Sequence, residues 1–348
     1  MALRIAINGF GRIGRLFLRC LTERDLLGKE IEVAAITDTS DNSANLAYLL
    51  KHDSIHGRFQ GEITADSPKT IRLNKKSLAY INAKNTPLQS LPWKNLEIDY
   101  VLEATGVFNT LEAAEKHLEA GARRVVIAAP ASGAVKTIVM GVNEDEYEPH
   151  THRILSNASC TTNCIAPVLF ALSREKIAIK KVLTTTIHSY TASQKIMDGY
   201  SHPHFREGRG SGVNIIPFHT KSPSAAAEVL PFLSGKVDGI SYRVPVQNIA
   251  LVDFALITEN LTTIEQIDGA MRHAANSYLK NILKYETEEL VSSDFIHEPY
   301  SAIYDSRAVL RNNTKNPDNF FKLIAWYDNE WGYVNRLADL ILFISKKD

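Results

Sequence analysis

Near its start the chain runs from an apolar stretch, Leu3-Arg4-Ile5-Ala6-Ile7, into Asn8-Gly9-Phe10-Gly11-Arg12-Ile13-Gly14. Three glycines so spaced between a strand and a helix leave few folds open. Ile13, Leu16, Phe17, Cys20 and Leu21 then recur at three- and four-residue spacing, the pattern of an amphipathic helix. A second β-branched run, Ile31 to Ile36, ends at Asp38. Strand, glycine turn, helix and strand closing on an acid is the context a dinucleotide fingerprint requires. Gly9 permits the tight turn, Gly11 lets backbone approach a pyrophosphate, and Gly14 allows close helix–strand packing. The helix N-terminus offers free N–H groups and a positive dipole to phosphates. Asp38 is suited to accept hydrogen bonds from the adenosine ribose hydroxyls and to repel a 2′-phosphate, so NAD is the expected cofactor. The alternative is a glycine turn in an unrelated α/β domain, against which the flanking strand, helix and acid all weigh.

Similar apolar runs follow at Ile98 to Leu102, Val125 to Ala129 and Ile138 to Val142, with a helical stretch from Leu111 to Ala120 among them. This succession predicts an α/β domain with a doubly wound parallel sheet. The polar section from Ile55 to Asn85 is read as an antiparallel excursion. After residue 156 the character changes. A small, polar octet, Ser156 to Asn163, leads into an apolar helical run from Cys164 to Leu172. Long β-rich segments follow at Val182 to Tyr190, Val237 to Val246, Ile249 to Ile257 and Phe321 to Trp326, with a helix from Ile264 to about Leu279. Between the first two lies Ser193 to Thr220, an irregular stretch of a length that is usually functional. A final helix carries Val334, Leu337, Ala338, Ile341 and Ile344. With 348 residues, two domains are expected.

Composition excludes several classes. Lys+Arg and Asp+Glu balance at 39 each, so nothing in the global charge favours nucleic acid or an anionic membrane as main partner. Three cysteines cannot build a disulfide framework and point to a reducing compartment. A strand beginning at Leu3 leaves no room for a signal peptide ahead of it, and no apolar run approaches the ~18 residues of a spanning helix. A cytoplasmic protein is expected.

Cys160 sits where the polar octet becomes a helix, a position that lowers a thiol's pKa through the dipole and unpaired N–H groups. Cys164, one turn later, falls inside the apolar run and reads as core. No paired-cysteine or paired-histidine spacing suggests a metal, so none is expected. Of eleven histidines, His188 stands out in the hydroxyl-rich β run Thr184 to Thr191. Alone it reads as a structural histidine; beside a reactive cysteine it is a candidate general base.

The blocks Asn8 to Arg15, Ser156 to Cys164 and Trp326-Tyr327-Asp328-Asn329-Glu330 closely resemble the phosphorylating glyceraldehyde-3-phosphate dehydrogenase family. Lys51 to Ser54, Asp198-Gly199, Arg243-Val244-Pro245 and Val291 to Phe295 extend the match along nearly the whole chain. The resemblance implies a homotetramer. Each subunit would have an NAD-binding Rossmann domain over residues 1–158, completed by a C-terminal helix over 329–348. An α+β catalytic domain with a large mixed or antiparallel sheet would span 159–328. It further implies Cys160 as nucleophile and His188 as base in oxidising glyceraldehyde 3-phosphate, through a thioester that inorganic phosphate releases. Thr191 and Arg243 would hold the substrate phosphate. Ser159, Thr161, Thr220 and Arg209 would line the site of the attacking phosphate. Asn329 would fix the nicotinamide carboxamide with Tyr333 nearby, and Arg12, Ile13, Thr105 and Gly106 would contact the rest of NAD. The stretch Ser193 to Thr220 matches the family's loop beside a neighbouring subunit's cofactor.

The chain departs from the family at Lys221-Ser222-Pro223-Ser224, where glycine and small residues usually follow the threonine. That Thr-Lys pair, with Ser301-Ala302-Ile303, is similar to the sister erythrose-4-phosphate dehydrogenases, which usually lack the threonine kept here as Thr191. Oxidation of erythrose 4-phosphate is therefore the alternative activity. Thr39 after Asp38 is the residue type NADP-using relatives carry. A nucleotide-binding regulator or secondary RNA binder is a third reading, against which the set Cys160, His188, Thr191 and Arg243 weighs, since pure binding needs no nucleophile.

Overall fold

The computed structural model describes residues 2–311 and 317–348. The chain forms two compact units: Met1–Ile138 with Asp145–Ala158 and Val334–Asp348, and Val139–Glu144 with Ser159–Tyr333.

The first unit is built on a nine-stranded sheet. Leu3–Asn8 lies at its centre, with Ile31–Asp38 parallel on one side and Tyr100–Glu103 parallel on the other. Arg124–Ile127, Ile154–Ser156 and Lys136–Thr137 continue outward from Tyr100–Glu103, all parallel. The strand order thus reverses direction at Leu3–Asn8, a topological switch point where open α/β sheets bind ligands at the carboxyl ends of their strands. The helix Arg12–Glu23 buries Leu16, Phe17, Cys20 and Leu21, the residues of its apolar stripe. Burial pushes the Cys20 thiol up to about 12, which makes it inert packing. The section expected to be an antiparallel excursion is one, and it ends inside the main sheet. Ile63–Ser67, Thr70–Leu73 and Lys76–Asn82 pair antiparallel in sequence, and Lys76–Asn82 then runs parallel to Ile31–Asp38. At the chain's far end, the Asp348 carboxylate accepts from Arg124 Nε at 2.6 Å, from the Tyr147 hydroxyl at 2.8 Å and from the Tyr100 hydroxyl.

Two boundaries differ from the sequence reading. The chain returns to the first unit at Val334, inside the helix Trp331–Lys347, and not at residue 329. The apolar run Ile138 to Val142 is not a strand; the strand is Lys136–Thr137, and Val139–Glu144 belongs to the second unit. Gly141 explains the break: its φ is +83°, and a Cβ there would stand 2.9 Å from Leu279 of that unit.

The second unit centres on a mixed sheet of eight strands. Ile179–Ser189 runs parallel to Val237–Val244 and antiparallel to Ala250–Thr262, which pairs antiparallel with Asp318–Tyr327. Along Ala250–Thr262, Val252, Phe254 and Leu256 alternate into the core, the period-two pattern of a strand with one packed face. The helix Cys160–Arg174 is buried over almost its whole length, Thr161 to Leu169 without interruption, so it reads as apolar all round instead of striped. Elements that escape the sequence reading include the helix Ser222–Val229 and the short strands Leu283–Glu286 and Ala302–Asp305. Runs of four residues are too short for periodicity to separate strand from loop. Between Ser193 and Thr220 the only regular pieces are the 3-10 turn Phe205–Gly208 and the strand Ile216–Phe218. No helix among the described residues is long and apolar enough to cross a membrane.

Candidate active site and cofactor loop

In the first unit the three glycines have distinct steric reasons. Gly9 has φ +94°, and a Cβ there would lie 2.7 Å from the backbone N of Thr105. A Cβ on Gly14 would lie 2.2 Å from the carbonyl oxygen of Gly9, so only glycine lets the helix approach the turn this closely. A Cβ on Gly11 would meet nothing within 4 Å and would project into open space at the helix start. Gly11 is the N-cap residue of Arg12–Glu23, and no side chain among the described residues caps this helix. Its first-turn N–H groups are therefore presented toward the space that Gly11 keeps clear. Asp38 is drawn into the same loop: one carboxylate oxygen accepts the Phe10 N–H at 3.0 Å, the other the Ser40 N–H at 3.1 Å. An open cradle, uncapped donors and an acid at its edge fit a dinucleotide.

The four residues expected to contact the rest of NAD have partners of their own or shape the backbone around the loop. The Arg12 guanidinium pairs with Asp53 at 2.5 Å. Burial pushes Asp53 up, but N–H groups of His56 and Ile55 together with Arg12 hold it at about 2. Arg12 and Ile13 are both half-buried in the first turn of the helix. The Thr105 hydroxyl donates to Glu103 and accepts the Val107 N–H at 3.1 Å, so its polar capacity goes into shaping its own turn. Gly106, with φ +70° and open space where a Cβ would stand, completes that turn.

In the second unit, Cys160 opens its helix and Ser159 caps it, accepting the Thr162 N–H at 2.9 Å. Cys160 Sγ lies 3.5 Å from Nε2 of His188. The other ring nitrogen, Nδ1, is 2.7 Å from the Ser189 carbonyl oxygen. A carbonyl only accepts, so Nδ1 carries the proton and Nε2 presents its lone pair to the thiol. Register supplies the third member. In the parallel pairing of Ile179–Ser189 with Val237–Val244, Arg243 is the partner of His188. Its guanidinium stacks 4.6 Å from the Phe218 ring centroid and donates to the Ser189 carbonyl at 3.4 Å.

Burial pushes the Cys160 thiol up, opposed by the Arg243 charge and hydrogen bonds from Thr161. Burial and then Arg243 push His188 down to about 3, against the smaller pull of its bond to Ser189. The resting pair is therefore neutral thiol and neutral imidazole. The helix N-terminus does not by itself produce the depressed thiol expected from sequence position, because desolvation outweighs it. Cys164 is fully buried, its thiol raised well above the ordinary value by burial.

Around Cys160 a chain of hydroxyls joins two helix starts. Ser159 Oγ lies 2.8 Å from Thr162 Oγ1 and 3.0 Å from Ser222 Oγ, to which Thr220 donates at 3.1 Å. Ser222 is a site residue the sequence reading did not assign. Its one signal was its place in the Lys221-Ser222-Pro223 helix start. Lys221 is exposed at the N-cap of that helix. The Thr161 hydroxyl lies 2.8 Å from the Tyr327 hydroxyl, and its backbone N–H hydrogen-bonds the Cys160 sulfur. Thr191 lies in the turn beyond His188, its hydroxyl donating to Gln194 at 2.9 Å. Arg209 stands apart from this group: it is exposed and paired with Asp198 at 2.9 Å. Asn329 is buried, and its Oδ1 accepts from Ser189 Oγ at 3.0 Å, which orients its amide N–H₂. Tyr333 is buried in the helix Trp331–Lys347. Asp328 was also unassigned. It caps that helix through the N–H groups of Glu330 and Trp331 at 2.9 and 2.7 Å.

Two family models match the chain: the glyceraldehyde 3-phosphate dehydrogenase NAD-binding domain over residues 3–111 and its C-terminal domain over residues 159–329. The chain belongs to the glyceraldehyde-3-phosphate dehydrogenase family. The glyceraldehyde-3-phosphate dehydrogenase of Treponema pallidum is 47% identical, over 99% of this chain and 100% of its own length. The glycosomal enzyme of Crithidia fasciculata is 46% identical, over 99% and 98%. That of Chlamydia pneumoniae is 44% identical, over 99% of each. As a member of this glycolytic family the chain is an NAD-dependent oxidoreductase, with a Rossmann cofactor domain and a mixed-sheet second domain.

Proposed function

We propose that the enzyme oxidises glyceraldehyde 3-phosphate with inorganic phosphate to 1,3-bisphosphoglycerate through a thioester on Cys160. The observation that carries this is the approach of Cys160 Sγ to the unprotonated Nε2 of His188, with Arg243 in register beside them. His188 Nε2 takes the thiol proton as sulfur attacks the aldehyde carbon, and returns it to the carbonyl oxygen to give a hemithioacetal. The first-turn N–H of Cys160 faces the oxygen as charge develops there. NAD held at the glycine loop and by Asn329 would supply the acceptor for the hydride that leaves that carbon. His188 removes the hydroxyl proton as the hydride leaves, and the C–O bond becomes the thioester carbonyl. A phosphate oxygen then attacks the carbonyl, the C–S bond breaks, and the proton held on His188 returns to sulfur.

Thr191 and Arg243 hold the substrate's phosphate in this reading. The hydroxyls of Ser159, Thr161, Thr220 and Ser222 receive the attacking phosphate, and Arg209 joins them when Asp198 releases it. Asn329 offers its N–H₂ to the carboxamide. Asp38 holds the adenosine ribose at the glycine loop, and the location is cytoplasmic. A homotetramer is supported by the irregular stretch, where Ile196, Met197, Tyr200, Phe205, Val213 and Ile215 are all largely exposed; apolar surface on that scale marks an interface. Lys221, beside the Thr220–Ser222 pair, favours erythrose 4-phosphate as the second reading. NADH formation with each sugar phosphate, with and without inorganic phosphate, tests the assignment. Triose oxidation that requires phosphate is expected. Tetrose oxidation indifferent to phosphate would replace it with the sister activity.

A further inference from the structure

Glu103 ends the strand Tyr100–Glu103, is 2% exposed, and has no part in the chemistry above. Four donors converge on its carboxylate. Oε1 accepts the Thr105 N–H at 2.8 Å and the Thr105 hydroxyl. Oε2 accepts Asn8 Nδ2 and His117 Nε2, the latter at 3.1 Å. His117 is held in that role from behind, because Trp93 Nε1 lies 3.0 Å from Nδ1. An indole N–H only donates, so Nδ1 is the acceptor and Nε2 carries the proton toward Glu103.

The carboxylate thereby reaches the ends of three adjacent parallel strands. Asn8 immediately precedes Gly9, and its Oδ1 accepts from Thr37, the neighbour of Asp38. Thr105 forms the turn after Glu103 itself. The turns are also packed edge to edge, since a Cβ on Gly9 would meet the Thr105 backbone at 2.7 Å. A shift of the Thr105 turn is therefore passed to the glycine loop and not absorbed by slack between them. Stability alone does not call for a buried carboxylate, since apolar residues in such places are often neutral or better. What it supplies is a single acceptor that fixes the separation of three loops.

We propose that Glu103 is a positioning residue for the cofactor, spacing the glycine, Asp38 and Thr105 loops so that they grip NAD together. This rests on the placement of NAD at the glycine loop. Glu103→Gln is the direct probe. The amide N–H₂ would face either the Thr105 N–H, which cannot turn away, or His117, whose proton Trp93 prevents from moving to Nδ1. Binding of NAD is measured by titration calorimetry on the folded protein, beside its melting temperature. Glu103→Gln is expected to weaken NAD about tenfold or more, raising KM for NAD with kcat at saturation little changed. Thr105→Ala should weaken it several-fold and Thr105→Ser restore it, a pair that decides the matter if Glu103→Gln does not fold. Affinities within twofold of the parent for folded Glu103→Gln or for Thr105→Ala, whatever the melting temperature, would overturn the proposal. Gly11→Val separates the two levels: if it leaves NAD binding intact, the cofactor is not at this loop and the premise fails; if it abolishes binding while Glu103→Gln does not, only the positioning role fails.

Discussion

Two helices of this enzyme begin where a strand's chemistry ends, and they use the same N-terminal physics differently. Arg12–Glu23 starts at a glycine, has no side-chain cap, and keeps the space before it clear. Cys160–Arg174 starts at a serine that caps it, amid hydroxyls, with a thiol as its first residue. The first has no side-chain cap and stays open to a polyanion that arrives with its own charge. The second spends one donor on its cap and sinks the reactive group, so that desolvation, not the dipole, dominates the resting thiol. A helix start thus binds an anion when it is open and uncapped. To make a nucleophile it needs a base as well, and here His188 supplies it.

The largest effect that would break this contrast is at the nucleophile. Cys160→Ser should lower turnover by about 10⁴-fold or more while leaving NAD affinity, measured by titration, unchanged. Near-normal turnover would remove the second helix start from the chemistry altogether.

The buried base gives the next largest effect, in stability. Burial and Arg243 take His188 from 6.5 to about 3, so between these values the unfolded chain binds more protons than the folded one. Stability present above about pH 6.5 is lost as pH falls toward 3. One such group costs about 2 kcal/mol between pH 7 and pH 5. Denaturant unfolding of the parent and His188→Asn at both pH values should show the loss shrinking by about that amount. An identical loss in both would mean His188 titrates normally in the folded protein.

Smaller effects sharpen the open helix start and the capped one in turn. Asp38→Ala should narrow the preference for NAD over NADP about fivefold, the worth of one half-buried charge near a phosphate. Unchanged selectivity in kcat/KM would place Asp38 away from the ribose. Lys221→Gly should raise the KM for inorganic phosphate about two- to threefold, as for an exposed ion pair. No change would make Lys221 a bystander to the hydroxyl chain.

These differences also account for what could be read from the sequence. The glycine loop was legible because its spacing and flanking elements are local in the chain, and the closest of its steric demands, Gly14 against the Gly9 carbonyl, is met within a single turn. The mixed sheet's long strands were legible from β-branched runs. The meeting of Cys160 with His188 was not, because it depends on the register that also sets Arg243 beside His188. Resemblance, not spacing, supplied that pairing. Ser222, Asp328 and Glu103 were passed over for a related reason. A serine, an aspartate and a glutamate have many surface uses, and only tertiary contacts show a hydroxyl chain, a helix cap or a four-donor acceptor. The strand expected at Ile138 to Val142 failed because a short apolar run carries no information about which unit it packs against.

In the proposed reaction Cys160 carries the acyl group between oxidation and phosphorolysis. The direct measurement is the intact and peptide mass of enzyme mixed with NAD and glyceraldehyde 3-phosphate in the absence of inorganic phosphate. One acyl adduct per chain is expected on the peptide holding Cys160, discharged when phosphate is added and absent in Cys160→Ser. NADH formed with no adduct, or an adduct on another residue, would contradict it.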